Sequence, residues 1–322
     1  MKNILLLLIF LSFWACKNKS KKPENVLFET MTAKQTGIDF TNNVIPKKDF
    51  NIFNYRNFFN GGGVAIGDVN NDGLPDIFLT SNFESNKLFL NKGNFKFEDV
   101  TQQAGVSQKK FWSTGVTFAD VNADGFLDIY VCNSGSRDER GNQLYISQGI
   151  KNGVPTFTEK AKEYGLQDGG FSTHAAFFDY DKDGDLDMYL LNNSFTPIDR
   201  LETTNIRTVR DKLGGHKLFR NDNLKFIDVS EEAGIYGSLI GFGLGITIGD
   251  VNDDNWLDVY ISNDFYERDY LYINNRDGTF AESLTEQMNH TSLSSMGADI
   301  ADINNDGSLD IFVTDMLPGD DK

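Results

Sequence analysis

One nine-residue pattern recurs five times and limits what this chain can fold into. Its copies are Asp68-Val-Asn70-Asn-Asp72-Gly73-Leu-Pro-Asp76, Asp120-Val-Asn122-Ala-Asp124-Gly125-Phe-Leu-Asp128, Asp179-Tyr-Asp181-Lys-Asp183-Gly184-Asp-Leu-Asp187, Asp250-Val-Asn252-Asp-Asp254-Asn255-Trp-Leu-Asp258 and Asp302-Ile-Asn304-Asn-Asp306-Gly307-Ser-Leu-Asp310. Oxygen-bearing side chains fill positions 1, 3, 5 and 9 throughout, and position 6 is Gly except at Asn255. Positions 1, 3 and 5 point inward around a tight turn. A backbone carbonyl near position 7 joins them and position 9 closes the shell, the arrangement a hard cation needs. Calcium takes six to eight oxygens at about 2.3–2.6 Å. Position 6 requires left-handed backbone, which Gly adopts freely and Asn tolerably. A single such turn reads as a solvated hairpin. Five with the same spacing read as calcium loops, up to five ions, with the numbered Asp and Asn residues at positions 1, 3, 5 and 9 as ligands.

The loop resembles the first half of an EF-hand, but the Glu expected at position 12 is replaced by Leu79, Val131, Leu190, Ile261 and Val313. A strand therefore follows each loop, apolar on nearly every residue as when both faces are covered. A strand of alternating large and small residues precedes it, as in Val64-Ala-Ile66-Gly67. A third strand recurs as Lys87-Leu-Phe-Leu-Asn91 and Tyr270-Leu-Tyr-Ile-Asn274, and a fourth as Phe95-Lys-Phe-Glu-Asp-Val100 and Phe226-Ile-Asp-Val229. Four antiparallel strands with a loop at a fixed place predict an all-β fold, a β-propeller of four-stranded blades. The repeats lie near 61–106, 113–166, 172–235, 243–288 and 295–322, the last ending after its second strand. Residues 27–38 (Leu27-Phe-Glu-Thr to Thr36-Gly-Ile38) read as the closing half of a blade. That half either completes the fifth blade or awaits blades beyond Lys322, and with its early-ending fifth repeat the chain reads as a truncated piece of a longer protein. Insertions at 133–142, with Arg137 to Arg140, and at 193–216, with a short helix expected near 201–213, are candidate binding segments.

The formal charge of −17 excludes the basic footprint of a nucleic-acid binder. Sixteen of the acidic residues are the loop aspartates themselves. Five divalent ions would bring the balance to about −7, so the acidity reads as ligand charge.

The first residues read as an export signal: Lys2, an apolar run from Ile4 to Leu11, and Ala15-Cys16. The run is too short for a permanent membrane helix. Cys after a small residue resembles a bacterial lipobox. This gives a signal peptide over 1–15, acylation at Cys16, a polar tether over 16–25 and the propeller over 26–322. The localisation expected is the cell envelope, as an outer-membrane lipoprotein held to the membrane by its lipid anchor only. Phe13 and Trp14 depart from the usual lipobox residues. The other thiol, Cys132, reads as a small buried hydrophobe in a strand.

The repeats resemble FG-GAP (VCBS) repeats, the calcium-loop blades also seen in integrin alpha chains. The run from Gly241 to Asp250, with Ser262-Asn-Asp-Phe and Asn289-His-Thr-Ser, is similar to secreted bacterial proteins of the ASPIC/UnbV class. The resemblance implies calcium at the matched Asp and Asn positions and seven blades in a full-length protein. It implies little about a ligand.

No catalytic constellation stands out: there is no paired-His motif, Cys cluster or Gly-x-Ser-x-Gly elbow. His174 stands where the other repeats carry Gly63, Gly115, Gly245 and Gly297, on the strand expected innermost, where it can face a central channel. Trp112, with Phe171 and Phe242, lies eight residues before its loop and is a candidate aromatic rim. The function read here is a binding or adhesion module for a protein or carbohydrate ligand outside the cell. The alternative is a propeller-based polysaccharide lyase or hydrolase with a central-channel site.

Overall fold

The computed structural model of the chain describes residues 27–316 apart from 109–110, 136–139, 197–205, 238 and 266. The signal peptide, the Cys16 acylation site, the tether, Arg137 to Glu139 and the first part of the expected 201–213 helix lie outside the described residues. The described remainder of that insertion, 206–216, forms turns without a helix.

Four antiparallel four-stranded sheets form in chain order. The first holds β1 (Val64–Gly67), β2 (Asp76–Leu79), β3 (Lys87–Asn91) and β4 (Phe97–Asp99). The second holds β5 (Trp112–Ala119), β6 (Asp128–Ser134), β7 (Gln143–Lys151) and β8 (Val154–Glu159). The third holds β9 (Ser172–Phe178), β10 (Asp187–Asn192), β11 (Lys217–Asn221) and β12 (Phe226–Asp228). The fourth holds β13 (Gly243–Gly249), β14 (Asp258–Asn263), β15 (Tyr270–Asn274) and β16 (Phe280–Glu282). A two-stranded fifth, β17 (Ser295–Ala301) with β18 (Asp310–Asp315), follows. Each first strand packs beside the next blade's first strand, the radial order of a propeller.

Burial explains the sequence pattern. β6, β10 and β14 are buried along their whole length, because a second strand is covered by blades on both sides. Each core is shared between neighbours: Val69, Phe78, Leu88 and Val100 of blade one pack with Val116, Ile129, Val131 and Phe157 of blade two. A buried Phe or Leu contributes about 1.5–3 kcal/mol. Cys132 is fully buried in the next such core. The two ends of the arc lack this cover. In the fifth sheet Ile303 and Phe312, the counterparts of the fully buried Val69 and Phe78, are 59% and 58% exposed.

Successive inner strands are stitched near the axis by threonines. Thr114 Oγ1 donates to Ser172 O at 2.8 Å, and Thr173 Oγ1 to Gly243 O at 3.0 Å. Outer edges are tied by a strap after each fourth strand. Phe157 N–H donates to Ala104 O and Phe280 N–H to Ala233 O. The strap glycines Gly105, Gly165 and Gly234 are left-handed, and a Cβ there would crowd the carbonyls of Phe157, Phe226 and Phe280.

Helix α1 (Ala33–Thr36), closed by a Thr32/Gln35 capping box, ends in left-handed Gly37 against the backbone of Phe97. Residues 33–38 thus hold on blade one the place that 104–106 hold on blade two. The expected outer strand before them does not form. Leu27 and Phe28 are almost fully exposed, with no third strand beside them to pair with.

Candidate metal sites and a facing cavity

The five nine-residue turns join first to second strands, so the blades' antiparallel course brings them to one end of the propeller. Their backbone is alike in all copies. Position 6 is left-handed, with φ 84° at Gly73, 88° at Gly125, 97° at Gly184, 67° at Asn255 and 93° at Gly307. Position 4 is left-handed too, at Asn71, Ala123, Lys182, Asp253 and Asn305. Asn71, Asp253 and Asn305 are of the types that tolerate this backbone, whereas Ala123 and Lys182 carry no such cue.

The side chains serve the turn in a fixed way. In the first copy Asp68 accepts the N–H groups of Asp72 (3.1 Å) and Gly73 (2.7 Å), and Asp72 accepts that of Leu74 (2.9 Å). Position 9 is turned inward. Asp76 Oδ2 accepts Val69 N–H at 3.0 Å and Oδ1 accepts Asn91 N–H at 2.8 Å. Asp128 likewise holds Val121 and Ser147, Asp187 holds Tyr180 and Asn221, and Asp258 holds Val251 and Asn274. This carboxylate therefore ties the loop's start to the third strand, a second duty beside metal ligation. Asp310 holds Ile303 in the two-stranded sheet.

The third copy is the most open to a cation. Carboxylate oxygens of Asp179, Asp181 and Asp187 lie within 4.8 Å of one another. Asp179 Oδ1 and Asp185 Oδ1 are buried with no partner among the described residues. Clustered acceptor-only oxygens, with Asp179 Oδ1 among them unpartnered, fit a hard divalent cation.

Burial and the neighbouring loop carboxylates push Asp76 and Asp128 up to about 6, and Asp187 to about 7, against the backbone N–H groups they accept. A raised carboxylate pKa contributes stability below the ordinary carboxylate range, and it is lost as pH rises through about 6–7. In chelator the melting temperature is therefore expected to be higher at pH 5.5 than at pH 8. With calcium the order reverses, since protons compete for the same oxygens. Scanning fluorimetry at both pH values checks the crossover.

Loop four differs. Arg276 donates to Asp254 Oδ2 from Nη2 at 2.8 Å and from Nε at 3.2 Å. The equivalent residues of the first three blades are Gly93, Gly149 and Asn223. A resident guanidinium on the position-5 carboxylate competes with a bound ion. Arg276→Gln should tighten loop four on the order of fivefold, the scale of an exposed ion pair. Terbium luminescence excited through Trp256, at position 7 of that loop, is the readout.

At the opposite end, where the inner strands begin, lies a cavity of about 480 Å³ lined by Arg56, Asn57, Gly61 to Gly63, Thr114, Thr173, His174, Asp264 and Phe265. His174 lines this cavity, its strand position paired with Leu191 and its side chain packed on Gly115. Burial lowers its pKa. Trp112 is not at the surface. It is 1% exposed, enclosed by Phe50, Tyr55, Phe58 and Phe83, because residues 50–60 fold over this end. Phe242 is buried as well, and Phe171 packs on Phe195, so the expected aromatic rim is a packed cluster. Arg56, on a single 3-10 turn (Arg56–Phe59), sits over the rings of Phe195, Phe242 and Phe265 at 5.0–5.7 Å and donates to Ser194 O. His216, at the end of the long insertion, is fully buried and accepts Asn192 N–H.

The family described as FG-GAP-like repeat matches at residues 68–131 and 250–313, each span running from one loop through the next loop into the strand after it. The chain is a propeller of FG-GAP repeats. Cartilage acidic protein 1 of Xenopus tropicalis is 29% identical over 169 residues, 52% of this chain and 24% of that protein. Integrin alpha-8 of Gallus gallus is 33% identical over 110 residues, 30% of this chain and 10% of that protein. The FG-GAP propeller thus spans about a quarter or less of the length of these relatives. A solved structure of an Agrocybe aegerita lectin that recognises non-reducing terminal N-acetylglucosamine overlaps with a TM-score of 0.41 at 18% identity, covering 78% of this chain and 59% of that one.

Proposed function

We propose that this FG-GAP propeller is a calcium-rigidified interaction module displayed on the cell envelope through a lipid on Cys16. The observation that carries the reading is the segregation of its two ends. One end gathers the five aspartate loops, and the other presents the cavity and the long connections between second and third strands. Asp179, Asp181, Asp183 and Asp187, and their counterparts in the other loops, would hold calcium. When bound, the ion supplies positive charge that neutralises the clustered carboxylates and fixes the turn. The chain's own share is to set the left-handed turn, aim the oxygens inward and tie position 9 to the third strand. Extracellular calcium modules work at about 10⁻⁴–10⁻³ M, the affinity expected here. The relation to integrin alpha-8 supports an interaction role over any particular chemistry.

Calorimetric titration of the full chain tests the reading. Several calcium equivalents are expected, with one lost in Asp179→Ala, and no heat of binding would overturn it. Palmitate incorporation in the native host, lost in Cys16→Ser, tests the anchor.

A further inference from the structure

We propose that the cavity at the end remote from the aspartate loops is a saccharide site that takes one neutral pyranose residue. The inference rests on the interaction-module reading and names its ligand class. The volume, about 480 Å³, falls in the range of small-molecule sites.

Two polar groups in its wall are unsatisfied. Asn57 is only 4% exposed, and its Nδ2 has no hydrogen-bond partner among the described residues; the same holds for His174 Nδ1. A buried polar atom left without a partner is destabilising. Both residues line the cavity, so its wall holds polar groups that the protein itself leaves unpaired. Asp264, itself buried, also lines the cavity and uses Oδ1 to accept the N–H of Phe265 at 2.7 Å. No described residue donates to its other oxygen within hydrogen-bond distance.

Phe265 is a second, independent sign. It holds φ at 63°, a left-handed backbone that is an outlier for an aromatic residue. The strained turn keeps its ring 41% exposed at the lip, edge-on to Phe242 at 4.7 Å. Leu244, Met296 and Met316 continue the apolar wall.

The ligand class follows from what the walls pair with. The charged lining residues are one guanidinium, Arg56, and one carboxylate, Asp264, and Arg56 is already held by three rings and Ser194 O. A phosphate or carboxylate ligand would meet Asp264 as a like charge. An ammonium would find its ring platforms taken by Arg56. Hydroxyls both donate and accept, so they match an amide donor, an imidazole and a carboxylate acceptor set apart from one another. The C–H face of a pyranose matches the Phe265 lip.

Saturation-transfer NMR on the calcium-treated full chain tests this with cellobiose, maltose and lactose, using glucuronate and N-acetyl-lysine as charged controls. The expected result is transfer to at least one neutral sugar and to neither control. Asn57→Leu should weaken that sugar at least tenfold while the melting temperature holds or rises, since the change removes an unpaired donor. Phe265→Gly, which relieves the left-handed strain, should do the same. No transfer to any neutral sugar, transfer to the charged controls alone, or undiminished binding in Asn57→Leu would each overturn the saccharide site. These outcomes leave the calcium titration untouched, whereas a failed calcium titration with sugar binding intact would overturn only the calcium part of the proposed function.

Discussion

Stripping calcium from the full chain is expected to lower its melting temperature by more than about 10 °C. An ion that binds only the folded loop stabilises it by mass action. At 10 mM calcium and a dissociation constant of about 10⁻⁴–10⁻³ M, each loaded loop contributes about 1.4–2.7 kcal/mol. For a domain of this size 1 kcal/mol moves the midpoint by about 2–4 °C, so several loops together exceed the threshold even with partial coupling. Electrostatics adds to the effect. The 16 loop aspartates lie at one end of the propeller, and the ions relieve a repulsion that chelator restores. Magnesium should substitute poorly, since it demands a smaller octahedral shell. Matched melting curves in chelator and in calcium, superimposable within a degree, would contradict the prediction.

Asp128→Ala is expected to be the most damaging single loop substitution among the described residues, with or without calcium. Its carboxylate is fully buried, and its oxygens accept Val121 N–H at 3.0 Å and Ser147 N–H at 2.7 Å. Alanine orphans both donors inside the sheet. At about 1–3 kcal/mol for each unsatisfied group, the loss is about 2–6 kcal/mol. The exposed position-5 residue offers the contrast: Asp124→Ala should weaken one calcium site and leave the metal-free stability nearly unchanged. Urea unfolding of both variants in chelator separates the two duties. Equal stabilities there would show that position 9 acts through metal alone.

The architecture was legible because the chain repeats itself. Oxygens at fixed spacing, Gly or Asn at position 6 and apolar runs after each loop placed the strands and one end of the propeller. His174 was legible for the same reason, as a departure from a column of glycines. What the repeat does not encode could not be read. Trp112 looked like a rim residue because its cover, residues 50–60, precedes the first loop and belongs to no repeat. Arg56, Asn57, Asp264 and Phe265 come from that segment and from a connection between strands, and only the winding of the blades brings them to one cavity. Leu27 and Phe28 carry strand chemistry but belong to no strand among the described residues.

The central claim is that the recurrent aspartates grip divalent ions. Crystals of the full chain grown in calcium, with anomalous differences collected at long wavelength, test it most directly. The account predicts peaks inside the nine-residue turns, strongest at Asp179, Asp181 and Asp187 and weakest beside Arg276. A map with ordered loops and no anomalous density within coordination distance of those carboxylates would contradict it.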